Sequence, residues 1–128
     1  MQEQRPTTRV ALRIAALFGL LAVALGAFGA HGLKDVLARN QTTVIWEKAV
    51  LYHFIHALLL LVMAGRRPLH TGPWFCFLAG IVVFSGSLYL LAVTNQRWLG
   101  AITPLGGLSF IAGWLWLVIA PEPRKNAG

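Results

Sequence analysis

Tyr52, His53 and His56 lie three and four residues apart, and Ser85, Ser87 and Tyr89 recur in a later stretch of similar apolar character. Imidazole, hydroxyl and phenol groups are the parts of a proton relay or of a serine nucleophile with its base. Paired histidines are also the usual way a helical bundle holds haem. On a helix Tyr52 and His56 share one face, and His53 partly shares it. His31 and Thr103 form a second, more distant pair of polar groups.

Each chemistry has a geometric requirement. Haem needs axial ligands approaching one iron from opposite sides at one depth, which two histidines three apart on one helix cannot supply. A serine nucleophile needs a base and an orienting acid. The only carboxylates, Glu3, Asp35, Glu47 and Glu122, all lie outside the apolar interiors. A metal site needs three or four ligands at one place, and Cys76, the single cysteine, makes neither a cluster nor an intrachain disulfide. Cys76 reads as a small apolar filler. The expectation is no metal, no cofactor and no enzyme, with an intramembrane enzyme built on a His and Ser pairing as the weakest of the readings.

The elements that hold these groups are four apolar stretches, residues 12–30, 44–65, 74–94 and 99–120. A bilayer core of about 30 Å takes ~20 helical residues to cross. Backbone polar groups in hydrocarbon must bond within their own segment, so each stretch is expected to be a helix. Hydrophobic residues make up 57% of the chain and charged residues 12%; soluble domains carry roughly 45–50% and about 25%. The fold class is therefore all-α membrane, an up-down bundle of four transmembrane helices forming one domain over residues 1–128. Gly26 to Ala30 would suit a signal peptidase, but the apolar run before it is near full span length, so the first span reads as retained.

The net charge of +7 does not signal nucleic acid, because the basic residues sit at span ends and in loops. Seven of them fall on the side of the termini and the second loop, against four in the first and third loops. Positive-inside then places both termini in the cytoplasm.

Counting from the cytoplasmic ends at 1.5 Å per residue, His56 lies ~14 Å deep and Tyr52 ~20 Å. Ser85, Ser87 and Tyr89 come at ~17, ~20 and ~23 Å on the third stretch. These five are expected to form one polar cluster near the midplane, with His56 bonded to a hydroxyl of Ser85, Ser87 or Tyr89. His31 and Thr103 are expected to meet at an outer mouth. Thr103-Pro104 reads as an N-cap followed by an N1 proline, and Trp46 as an interfacial anchor.

Small residues repeat at steps of three and four on the first span, Ala11, Ala15, Gly19, Ala22, Gly26 and Gly29, and again at Gly106, Ser109 and Gly113. Such stripes let helices approach closely, either within one chain or across a homo-oligomer.

In order along the chain stand Gly26-Ala27-Phe28-Gly29-Ala30-His31-Gly32, Ala49-x-x-Tyr52-x-x-x-His56-Ala57-Leu58, Phe84-Ser85-Gly86-Ser87-Leu88-Tyr89, Thr103-Pro104-x-Gly106-Gly107 and Phe110-x-x-Gly113-Trp114. This set resembles the family catalogued as domain of unknown function 423, small bacterial inner-membrane proteins with eukaryotic relatives of the transmembrane protein 256 type. The resemblance implies four spans, a multi-pass protein of the bacterial inner membrane and no established activity. It picks out Tyr52, His56, Ser85, Ser87, Tyr89, Thr103 and His31 as motif positions and leaves His53 outside the pattern. Two function classes follow as expectations. One is a non-enzymatic membrane protein binding lipid, a membrane partner or its own copy. The other is a small transporter, channel or proton conductor using the His/Ser/Tyr cluster.

Overall fold

The computed structural model describes residues 6–121. Among them it is all helix, with four helices long and apolar enough to cross a membrane: Thr8–Ala30, Thr43–Ala64, Thr71–Thr94 and Arg97–Ile119. These are the first to fourth spans. The third starts three residues before Trp74 because Pro73 falls in the first helical turn, where its missing N–H breaks no bond. The fourth opens with a 3₁₀ turn, Arg97–Ala101, and becomes regular at Thr103. A short helix, Lys34–Asn40, fills the first loop; it is too short and too polar to stand out by hydropathy.

The closely packed pairs are first–second, second–third and third–fourth. The two middle spans are the more buried, so the outer spans flank a central pair. Each pair is antiparallel, and each is fastened differently.

The first and second spans meet along the small stripe. Ala11, Ala15 and Ala22 are buried against this seam, with Ala57, Leu60 and Ala64 across the lower contact. At the other end Gly29 makes room for the Trp46 indole, whose Nε1 donates to the Leu25 carbonyl at 3.0 Å. Trp46 is thus a buried fastener and not an interfacial anchor. Gly26 faces Val50, where an added methyl would stand 3.3 Å from Cγ1. Gly19 departs from the expected stripe: a methyl there would meet nothing within 4 Å. The neighbouring Phe18 ring, not Gly19, makes the contact at this level, edge-on to His53.

The second and third spans are joined by side chains that reach across to backbone carbonyls. Thr42 Oγ1 donates to the Ala92 carbonyl at 2.7 Å, Ser85 Oγ to Ala49 at 2.8 Å, and Trp74 Nε1 to Leu60 at 3.2 Å. Asn40 Nδ2 adds bonds to the Ala92 and Val93 carbonyls. These are among the last carbonyls of the third span, which have no partner within their own helix. The loop residues Asn40 and Thr42 therefore close the end of that helix.

The third and fourth spans interlock ring into glycine. Gly113 receives Phe77, Gly80 receives Phe110, and Gly106 lies directly on the Phe84 backbone. Each span thus supplies bulk opposite its partner's glycine, the close approach that drives association where lipid removes the hydrophobic effect. Within the third span a π turn, Ile81–Ser85, covers the stretch that contains Phe84.

Candidate functional site

His53 and His56 project from the second span about 60° apart, since three residues turn an α-helix by roughly 300°. They consequently face different neighbours. His56 is 4% exposed and points toward the fourth span, stacked on Phe110 at 3.7 Å between ring centroids. His53 is 3% exposed and lies between the first and third spans, with Phe18 on one side and Tyr89 on the other.

The protonation state of His56 follows from its partners. The Trp114 indole Nε1 is only a donor, and it lies 3.1 Å from His56 Nε2. Nε2 must therefore be the bare, accepting nitrogen. Nδ1 then carries the proton and donates to the Tyr52 carbonyl at 2.7 Å. Both nitrogens are used, and the set closes only for the neutral Nδ1–H tautomer. Phe77 and Phe110 complete an aromatic box around the ring.

The bond expected between His56 and a hydroxyl of Ser85, Ser87 or Tyr89 does not form. Ser85 donates to Ala49. Ser87 bonds the Phe84 carbonyl and Thr103 Oγ1, the latter at 2.6 Å. Tyr89 bonds His53 Nδ1 at 2.8 Å. Tyr52 is 40% exposed, stacked on His56 and tilted against Phe84, and its hydroxyl joins no side-chain hydrogen bond. The five residues are four separate contacts and not one cluster.

The reason is register. Because the third helix begins at Thr71, its serines and tyrosine sit ~4.5 Å farther from that end than a start at Trp74 implies. His56 is level with Phe77 and Gly80, and Ser85 is level with Ala49. Tyr89 and His53 still meet because side chains lean toward their own helix N-terminus, which in antiparallel neighbours brings them together.

The outer pair also separates. His31 is exposed in the turn after the first span, while Thr103 is half-buried and held by Ser87. Thr103 is a helical residue with no side-chain capping bond; its residual contact is to the Leu99 carbonyl at 3.4 Å. The 3₁₀ turn before it moves Thr103 inward by about a turn. Ser109 of the second small stripe donates to the Cys76 carbonyl at 2.6 Å.

His53 stands outside the motif pattern, yet it holds the one buried side-chain atom without a partner among the described residues, Nε2. Trp46, Trp74 and Trp114 carry interhelical bonds that neither an anchoring role nor a motif position foretells. An indole N–H packed between helices usually finds an acceptor, and all three do so here. No three His, Cys, Asp or Glu side chains converge among the described residues.

Comparison with known proteins adds a family to this geometry. A family model described as "Protein of unknown function (DUF423)" matches residues 25–107. The chain belongs to this family. A UPF0382 membrane protein of Staphylococcus epidermidis is 50% identical over 117 residues, 88% of this chain and 94% of its own length. UPF0382 membrane protein YwdK of Bacillus subtilis is 47% identical over 119 residues, 88% of this chain and 95% of its own. No solved structure matches. With these relatives and four membrane-length apolar helices, the chain is a membrane protein of an uncharacterised family. The family model covers Tyr52, His56, Ser85, Ser87, Tyr89 and Thr103 but stops short of Phe110 and Trp114.

Proposed function

We propose that this protein is a non-enzymatic, multi-pass component of the bacterial cytoplasmic membrane, a single four-span domain whose buried polar groups fasten helices and whose outer faces bind lipid or a membrane partner. The observation that carries this reading is the saturation of His56. A base with both nitrogens committed, one to a carbonyl and one to an indole N–H, has no lone pair left for a serine or a relayed proton. Ser85 and Ser87 are spent on carbonyls and on Thr103 in the same way. Between this level and the end of the second span the packed groups are Ala57, Leu60, Met63, Trp74 and Phe77, an apolar plug.

The transport reading keeps one supporting atom, the unpartnered His53 Nε2. Proteoliposomes with an imposed potassium-diffusion potential and an internal pH dye separate the two. The expected result is proton flux equal to that of empty vesicles. Flux above that level, abolished by His53→Phe, would replace the fastening role with conduction.

The charge distribution supports cytoplasmic termini. In the sequence seven Lys and Arg belong to the termini and the second loop, against four in the first and third loops, and the side richer in Lys and Arg is the cytoplasmic one. Reporter fusions at the C-terminus and within residues 34–43 should give opposite signals, cytoplasmic for the former. A periplasmic C-terminal reporter reverses the assignment.

A further inference from the structure

A groove of about 490 Å³ runs between the ends of the second and fourth spans on the side of the Arg66–Arg67 turn. Leu59, Val62 and Leu117 line its apolar part, and Arg66, Arg67 and His70 stand at its mouth. We propose that this groove seats an acidic phospholipid, its phosphate held by the two guanidinium groups and an acyl chain lying along the leucines and valine. The proposal deepens the lipid-binding reading above and rests on it.

Three observations support the choice of occupant. The first is charge. In the sequence the termini and the second loop carry seven Lys and Arg against Glu3 and Glu122, while Asp35 and Glu47 belong to the far end of the spans, ~28 Å away counting from Glu47 to Arg66 by helical rise. The second and fourth helices also end here, each placing roughly half a negative charge at its C-terminus. Two arginines exceed that by about one unit, before Arg9 and Arg13 of the first span are counted. The second is chemistry. Arginine presents a planar fork that takes phosphate oxygens in pairs, and both of these side chains are exposed. The third is continuity. Val62 is 58% exposed and Leu117 half-buried, so the groove opens sideways onto the face that meets hydrocarbon. A free phosphate would leave those walls uncovered, whereas a lipid covers both parts. Basic pockets between span ends are a general means of recognising anionic headgroups.

The test uses the full chain in neutral detergent, with phosphatidylglycerol or phosphatidylcholine of identical acyl chains added. Lipid adducts are counted by native mass spectrometry and stability is followed by thermal melting. Phosphatidylglycerol should remain bound and raise the melting temperature, and phosphatidylcholine should not. Arg66→Gln with Arg67→Gln should lower that preference by about tenfold or more, while the double lysine variant, which keeps the charge and loses the paired contacts, falls between that variant and the parent. Lys34→Gln, at the opposite end, should leave it unchanged. Equal retention of both lipids, intact preference in the double glutamine variant, or loss of preference in Lys34→Gln each overturns the site. Glycerol phosphate alone matching the lipid would show a phosphate site and overturn the lipid. Flux in the proteoliposome experiment would refute the fastening role and leave headgroup preference unaltered, so the two failures are distinguishable.

Discussion

Gly106→Ala is expected to destabilise the protein by about 3 kcal/mol, at the upper end of overpacking effects, while Gly19→Ala leaves it unchanged or slightly more stable. Both replace a mid-span glycine by the smallest side chain, and both glycines belong to stripes of small residues. Their surroundings differ. A methyl on Gly106 would fall on Phe84 N and within 2.7 Å of Phe84 Cα. Backbone of a packed helix cannot move aside as a side-chain tip can, so the third and fourth spans must separate or slide. Sliding would also pull Phe77 off Gly113 and Phe110 off Gly80. At Gly19 the same methyl meets open space, and relief of glycine's entropic cost in a helix contributes about 0.5–1 kcal/mol. Denaturant-induced unfolding in mixed micelles, followed by circular dichroism, measures the difference. Equal stabilities for the two variants would mean that the ring-into-glycine seam does not hold the third and fourth spans together.

That contrast also marks what is legible in the sequence. Hydropathy and length locate all four spans, since a helix of ~20 apolar residues has one use in hydrocarbon. The stripe at Ala11, Ala15, Ala22 and Gly29 follows from helical periodicity and is readable. Gly19 falls on the same stripe but has no neighbour, because periodicity says which residues share a face and not where the partner helix touches it. The polar site is readable as an inventory and not as a pairing. His56 and Ser85 look level when the third helix starts at Trp74; starting it at Thr71 separates them. A shift of three residues sets Ser85 beside Ala49, and the ~60° between His53 and His56 decides which of the two meets Tyr89. Trp114 is in plain view as a motif residue, and an indole N–H packed between helices usually finds an acceptor.

His56 and Trp114 should show energetic coupling of about 1 kcal/mol in a double-mutant cycle, within the range for interhelical bonds in membranes. His56→Leu removes the acceptor and leaves the Trp114 N–H without one. Trp114→Phe removes the donor and leaves the His56 Nε2 lone pair buried beside Phe110. Each alone is expected to cost about 1–3 kcal/mol, because an orphaned polar group loses more than the bond it made. The double variant removes both orphans together, so its cost should fall short of the sum of the singles. Combining His56→Leu with Ser85→Ala gives the contrasting case. Ser85 is bonded to Ala49 and shares no partner with His56, so those two costs should add. Coupling to Ser85 with none to Trp114 would restore a serine–histidine pair and with it the materials for nucleophilic chemistry. Coupling to Trp114 alone leaves the histidine as the fastener between the second and fourth spans.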